Sequence, residues 1–173
     1  MQNLFSYPLK IEDMSASTQN YKLKANNEEL KYITEIMQVP NIKRFETDIN
    51  VKFQAKEHRV DVWGNVNADV EQTSVISLEN FDRKYCSEFK LIYDTKMTLS
   101  EQIALDEEND GENVPDILVD GQIDLAAIAM EQLALILDDF PRQEGEVFNF
   151  TSEFDEETTK KANPFAVLEK LKK

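Results

Sequence analysis

The strictest constraint on the fold is an alternation of apolar and polar residues between positions 60 and 71. Every second residue is small or apolar and the residues between are mostly charged or amide side chains; the first set is Val60, Val62, Gly64, Val66, Ala68 and Val70. Successive side chains of a β-strand point to opposite faces of its sheet. The pattern predicts a long strand with one face in a core, and Gly64 indicates a bulge or a sharp bend within it.

Further strands are predicted on both sides of this one. Residues 45–55 alternate in the same way, and residues 56–59 form the turn that pairs the two strands. Residues 75–78 and 89–93 are predicted to continue an antiparallel meander, while residues 5–11 and 116–120 are short strands. The sheet therefore forms the main part of the predicted core.

Three helices complete the prediction. Asn26 or Asn27 caps a helix that ends near Met37, and Asn163 caps a C-terminal tail helix over residues 164–172. Between them, residues 125–137 are apolar nearly all round, which is typical of a helix buried under a sheet or in a subunit interface. We therefore predict one α+β domain over residues 1–173, with an N-terminal helix, a buried helix and a C-terminal helix.

The formal net charge of −15 is unevenly distributed along the chain. Residues 97–141 contain twelve Asp and Glu and no Lys or Arg, whereas the segments on both sides are close to balance. Within it, residues 98–115 are predicted to be a mobile acidic loop that holds Asp106, Glu107, Glu108, Asp110 and Glu112. Such a field repels nucleic-acid phosphates and attracts cationic partners.

Catalytic and metal sites have little support in the sequence. Cys86 is the only cysteine and His58 the only histidine, and neither has a partner in a recognisable catalytic or metal-ligand pattern. Four glycines are too few and too scattered for a phosphate-binding loop. We predict no catalytic residue, no metal ligand and no cofactor. The chain has no apolar run of membrane-spanning length and no secretory signal, so a cytoplasmic location is expected.

Two groups of apolar residues are candidates for partner binding. Trp63 falls on the polar face of the long strand, where an exposed Trp is a suitable interface anchor. The bulge expected at Gly64 makes burial of Trp63 in the core the slightly preferred interpretation. In the tail, Phe165 and Leu168 belong to a helical stripe that fits a partner's groove or packs on its own sheet, and the second is the commoner arrangement.

Three segments resemble the YceD family of large ribosomal RNA subunit accumulation proteins, most closely its alphaproteobacterial branch. They are residues 72–79 (QTSVISLE), residues 120–142, which run from DGQIDL to FPR, and residues 163–172, which begin NPFAVL. The resemblance implies a role in the synthesis, processing or stability of large-subunit ribosomal RNA, with no established enzymatic activity. Many relatives carry a cysteine where Ser74 stands, so a metal or redox role suggested for them does not transfer to this chain.

The charge distribution and the resemblance together lead to a functional hypothesis. We predict a non-enzymatic factor in large-subunit assembly that binds a basic ribosomal or assembly protein through residues 97–142, which include Arg142, helped by the tail helix. Contact with ribosomal RNA is then indirect. The alternatives are an enzyme that acts on ribosomal RNA, or a structural homodimer built on the apolar helix at residues 125–137.

Overall fold

A computed structural model of the chain describes residues 4–108, 114–118 and 120–147. The chain divides into two compact units, residues 1–143 and residues 144–173. In the second unit the described residues 144–147 contain a turn at Glu144 and Gly145. All the helices and strands of the described residues lie in the first unit. The predicted tail helix over residues 164–172 falls outside the described residues.

The first unit has seven strands, three α-helices and one turn of 3₁₀ helix at Ile11–Asp13 among its described residues. In chain order the strands and α-helices are β1 (Pro8–Lys10), β2 (Gln19–Lys24), α1 (Asn27–Met37), β3 (Asn41–Gln54), β4 (Arg59–Thr73), β5 (Asn80–Asp94), α2 (Leu99–Glu108), β6 (Asp116–Ile117), β7 (Gln122–Asp124) and α3 (Leu125–Ile136).

The strands form one five-stranded sheet and one small two-stranded sheet. The large sheet has the order β2-β3-β4-β5-β6, and its first four strands are antiparallel to their neighbours. The short β6 pairs in parallel with the end of β5, and β1 pairs with β7. The predicted α+β class is confirmed, and the large sheet is mostly antiparallel.

The central strand β4 follows the predicted alternation. Its even-numbered apolar residues, with the exception of Gly64, have at most 1% of their surface exposed, and they are Val60, Val62, Val66, Ala68 and Val70. The pairing of β4 runs past Gly64 without a register shift on either side, so the bulge predicted there is wrong. The one shift between β3 and β4 lies between Ile42 and Arg44.

Gly64 instead allows a close approach between two backbones. A Cβ atom at this position would lie 2.2 Å from the carbonyl oxygen of Asp48 and 2.9 Å from the Cα of Ile49, both in β3. Real Cβ atoms do not approach other atoms so closely. Any side chain at residue 64 would therefore push β3 and β4 apart at the middle of the sheet.

The helices α1 and α3 lie on one face of the large sheet. α1 packs against β3, and α3 packs against β4, β5 and β1. The core between them includes Ile33 of α1, Phe45 of β3 and Leu133 of α3, each at most 1% exposed. The opposite face of the sheet, called the open face below, carries the polar residues of β2 to β5, and no described helix covers it.

Side-chain caps define where these two helices begin. Asn26 Oδ1 accepts hydrogen bonds from the N–H groups of Glu28 and Glu29, and the Glu29 carboxylate accepts one from the N–H of Asn26. This reciprocal capping box starts α1 at the position that the sequence predicts. α1 ends at Gln38, which adopts a left-handed backbone conformation.

The cap of α3 also ties the N-terminal segment to the helix. Asp124 Oδ1 accepts from the N–H groups of Ala126 at 3.0 Å and Ala127 at 3.2 Å. The same carboxylate accepts from the Tyr7 N–H at 2.8 Å and from the Ser6 hydroxyl at 2.6 Å. The buried side of α3 faces the large sheet. Of the two positions predicted for this helix, under a sheet or in a subunit interface, this is the first.

Two local predictions are wrong. Residues 75–78 form a turn and not a strand, because the Ser74 hydroxyl oxygen accepts hydrogen bonds from the N–H groups of Ile76 and Ser77. The loop predicted over residues 98–115 is a helix at Leu99–Glu108. The predicted strand at residues 89–93 is confirmed, and it is one end of the fifteen-residue β5. In addition, β2 pairs along six residues of β3 although no strand is predicted there.

Candidate partner-binding surfaces

Trp63 lies on the open face and not in the core. The pairing register places it between Asn50 of β3 and Lys90 of β5, and its side chain is half-buried. It borders a shallow depression of about 760 Å³ that is otherwise lined mainly by polar and charged side chains. The preferred interpretation, in which Trp63 is buried in the core, is therefore wrong. It depended on a bulge at Gly64 that the structure does not have.

The charges around this depression are partly neutralised. Asp61, which is 8% exposed, accepts hydrogen bonds from the guanidinium of Arg59 and from the amide of Gln54. Lys52 and Lys90 form no ion pair with any residue that the structure describes. The depression therefore offers an aromatic ring beside two available ammonium groups, without a strong excess of one charge.

Cross-strand ion pairs cover much of the remaining open face. Lys22 of β2 pairs with Asp48 at 3.4 Å, and Lys24 pairs with Glu46 at 2.9 Å. Arg44 pairs with Asp69 across β3 and β4 at 3.0 Å, and this contact raises the pKa of the Arg44 guanidinium. The open face thus carries both signs in comparable number, and the negative excess of the chain lies elsewhere.

The described parts of the acidic segment, residues 97–141, lie on the β5 side of the sheet. α2 and β6 lie at the end of β5 that contains Tyr93 and Asp94, and α3 packs beneath the strand. Burial and the nearby carboxylate of Asp106 raise the pKa of Asp116. Burial, followed by the charges of Asp116 and Glu131, raises the pKa of Tyr93 well above its usual value. Carboxylates from α2, β6 and α3 therefore act on the same end of β5.

The other end of the sheet contains a cleft lined by both polar and apolar residues, called the end cleft below. It lies between the end of α1, the last residues of β4 and the end of α3 with the segment after it, and has a volume of about 440 Å³. The residues that line it include Ile36, Val39, Gln72, Ala134, Leu137 and Asp138. No Lys or Arg lines it.

A hydrogen-bond network holds the end cleft together. The buried Gln72 accepts from the Tyr85 hydroxyl and donates to the carbonyl oxygen of Asp138 at 3.4 Å. The Asp138 carboxylate accepts from Arg83 at 2.8 Å. The hydrogen bond from the Phe140 N–H, and then the Arg83 guanidinium, lower the pKa of Asp138. The network joins the segment after α3 to β4 and β5, and the Val75 N–H, which donates to Pro141, adds the turn after β4 to the same structural element.

Large apolar side chains project into solvent around this element. Leu78 and Leu135 are each 76% exposed, Phe140 is 71% exposed and Val75 is 47% exposed. The Val75 N–H donates to the carbonyl oxygen of Pro141 at 2.9 Å, which joins the two segments that carry these residues. An exposed apolar set on a rigid support is typical of a surface that a partner covers.

Sequence patterns did not identify these four residues as candidates. Val75 and Leu78 belong to a segment that was predicted to be a strand. Leu135 belongs to a helix that is apolar nearly all round, and such a pattern does not show which side of the helix is exposed. The Ser74 side chain could have indicated the turn at residues 75–78, because Ser favours turns by accepting hydrogen bonds from nearby backbone N–H groups.

The predicted binding residues do not form one site. Asp106 and Glu107 lie near the end of α2, at the Asp94 end of β5, whereas the exposed Arg142 lies beside Asp138 at the opposite end. At about 3.3 Å per residue, the length of β5 separates these ends by roughly 45 Å. The predicted acids and tail residues whose side chains fall outside the described part are Glu108, Asp110, Glu112, Phe165 and Leu168.

The two remaining reactive residue types lie apart. Cys86 is exposed on the open face opposite Asn67. His58 lies in the predicted turn between β3 and β4, with a left-handed φ of 54°.

Among the described residues, no group of three or more His, Cys, Asp or Glu side chains could hold a metal ion. In the same part of the chain, no helix is long and apolar enough to cross a membrane.

Comparison with known families identifies the chain. A family model described as "Large ribosomal RNA subunit accumulation protein YceD" matches residues 62–172, which is more than half of the chain. The chain belongs to the YceD family. The match includes most of β4, the turn after it, the whole of β5 and the acidic segment, and it leaves out β1 to β3. No curated protein and no solved structure matches the chain.

The family assignment confirms the resemblance found in the sequence. Two of the three segments that carried it, residues 72–79 and residues 120–142, meet at the end cleft through the contacts of Gln72, Val75 and Asp138. The third segment lies outside the described residues. Parts of both described YceD-like segments therefore meet at this end of the sheet.

Proposed function

We propose that this YceD-family protein supports the accumulation of large-subunit ribosomal RNA by binding a basic protein of the large subunit or of its assembly. The acidic segment supplies the binding surface, and the protein does not catalyse a reaction on the RNA. The observation that carries the proposal is the complete absence of Lys and Arg from residues 97–141, a segment with twelve acidic residues.

Electrostatics favours a protein partner over bare RNA. A chain with a net charge of −15 repels the RNA backbone, and the repulsion grows at low salt. The same field increases the rate at which a basic protein meets the acidic segment. Ribosomal proteins are typically basic, so they have the charge that this segment attracts.

The acidic segment also has apolar anchors that attraction between charges alone would not need. Leu135 and Phe140 are exposed beside the carboxylates of Asp138 and Asp139. Stable interfaces combine a few buried apolar or aromatic anchors with a polar rim. The end cleft supports such an arrangement, since its network fixes the backbone on which these side chains stand.

A matched pair of charge variants tests the acidic segment. The triple variant Asp106→Asn, Glu107→Gln and Glu131→Gln removes three exposed charges that make no hydrogen bond or ion pair with described residues. The control Glu12→Gln, Glu35→Gln and Glu57→Gln makes the same change in net charge outside the segment. Association with isolated large-subunit proteins is then measured by titration at low and high salt.

We expect the segment variant to bind roughly tenfold more weakly than the wild type at low salt, because each exposed ion pair contributes a small screened energy. The control variant should bind as the wild type does. The difference should shrink at high salt. Equal weakening by both variants would mean that only the net charge matters, and the proposed segment would then be wrong.

A further inference from the structure

The outer edge of β5 has no strand beside it over most of its length. β5 spans Asn80–Asp94 and pairs with β4 along all fifteen residues, but β6 pairs only with Tyr93 and Asp94. In the described part of the first unit, no strand pairs with the outer edge of residues 80–92. About half of the backbone N–H and C=O groups of this stretch therefore point away from the sheet.

This edge lacks a proline and a bulge, two of the usual features that prevent strand addition. β5 contains no proline, and its register with β4 has no bulge. The opposite edge strand, β2, is only six residues long. Lys84 and Lys90 do stand on β5, but both point to the open face. A long and regular edge of this kind is a template for one more strand.

Residues of α3 and of the segment just after it lie close to β5. Glu131 of α3 contributes to the raised pKa of Tyr93, and Asp138, which follows the end of the helix, pairs with Arg83. Leu135 follows Glu131 by one helical turn, which places the two on the same side of α3, and it is 76% exposed. A strand added to β5 would therefore meet the Glu131 carboxylate and an exposed leucine.

We propose that the outer edge of β5, residues 80–91, binds an extended basic peptide of the partner as an additional strand. Main-chain hydrogen bonds to β5 hold the peptide, and on the face that points towards α3 a Lys or Arg meets Glu131 and an apolar residue covers Leu135. The inference rests on the proposed function for the basic character of the partner. A second copy of the chain is a poor occupant, because both copies carry the same negative field.

Amide hydrogen exchange of the full-length protein, measured residue by residue, tests the proposal. The probe is a synthetic twelve-residue peptide with Thr at every second position and Lys and Val in turn at the positions between, so that one face of the strand carries both. Its two controls are the same peptide with every backbone amide N-methylated, and the same peptide with Glu in place of Lys. In the free protein, alternate amides of residues 80–91 should exchange fast, because their N–H groups point outward.

The Lys-Val peptide should slow these outward amides at least roughly tenfold at saturation, and the N-methylated peptide should bind at least roughly tenfold more weakly. The Glu-Val peptide should not bind. Protection of the outward amides already in the free protein, equal binding of the N-methylated peptide, or dimerisation of the free chain through this edge would each overturn the proposal.

A proline variant gives a second measurement on the protein itself. Cys86 and Ser87 are neighbours in β5, so one of them carries an outward N–H and the other an inward one. Proline replaces whichever exchanges fast, Cys86→Pro or Ser87→Pro, and should abolish peptide binding while the slow amides of β4 stay protected. If a partner binds through the acidic segment but does not slow amide exchange in β5, the proposal of strand addition is refuted and the proposed function is not.

Discussion

Substitution of Gly64 tests the account of the sheet at its centre. In Gly64→Ala the new methyl carbon would lie 2.2 Å from the Asp48 carbonyl oxygen, whereas a non-bonded contact needs about 3.4 Å. β3 and β4 would have to separate by roughly 1 Å at this point. Overpacking of this kind costs about 1–3 kcal/mol, and each weakened hydrogen bond between the strands costs about 1 kcal/mol more.

We therefore expect Gly64→Ala to lower the free energy of unfolding by about 3 kcal/mol. For a chain of this size, that corresponds to a fall in Tm of roughly 6–12 °C. Urea denaturation followed by circular dichroism measures the first value, and a thermal scan measures the second.

Gly121→Ala is the matched control. Gly121 has a φ of +66°, and nothing lies within 4 Å of a Cβ at this position, so only the left-handed backbone opposes the change. Its cost should be about 1 kcal/mol. If Gly64→Ala destabilises the protein no more than Gly121→Ala does, the close approach of β3 and β4 at Gly64 is refuted.

Three more substitutions test other parts of the structure. Asp124→Ala should lower the free energy of unfolding by about 2–3 kcal/mol in urea denaturation, because it removes the cap of α3 and the acceptor for Ser6 and Tyr7, while Asp124→Asn should retain much of the cap. Trp63→Ala should cost less than about 1.5 kcal/mol, against 3–5 kcal/mol for a core tryptophan, and acrylamide should quench the fluorescence of this sole Trp in the native protein. The pKa of Tyr93 is raised from 10.0 in the folded state, so stability should be lost as the pH rises above about 10, and Tyr93→Phe should reduce this loss in Tm measurements across the alkaline range.

The sequence predicted the elements whose signals are local and periodic. The alternation from Val60 to Val70 depends only on which face of β4 is buried, and the burial agrees with it. The cap at Asn26 is likewise contained within four residues of sequence. Such features need no knowledge of distant parts of the chain.

One missed element had a readable signal. α2 begins with a capping box in which the Thr98 N–H and hydroxyl donate to the Glu101 carboxylate, and this hydrogen bond lowers the pKa of Glu101. The spacing Thr98-x-x-Glu101 is the sequence signature of that box. The many acidic residues that follow Glu101 led instead to the prediction of a solvated loop.

Other errors needed tertiary information. The direction of Trp63 depends on an unbroken register with both β3 and β5, which its own segment does not reveal. The end cleft forms because Gln72, Tyr85 and Asp138, which are far apart in the sequence, meet in one network. The free edge of β5 is also a property of the whole sheet, since it depends on which strands stop short beside it.

A tagged pull-down of the full-length protein from cells, with and without nuclease, tests the central claim most directly. The protein and the triple variant Asp106→Asn, Glu107→Gln and Glu131→Gln are compared, and both protein and RNA are identified. We predict that basic large-subunit proteins are recovered with the wild type after nuclease treatment and are depleted with the variant. If recovery disappears with nuclease, RNA is the tether, and the claim that the acidic segment binds a basic protein is contradicted.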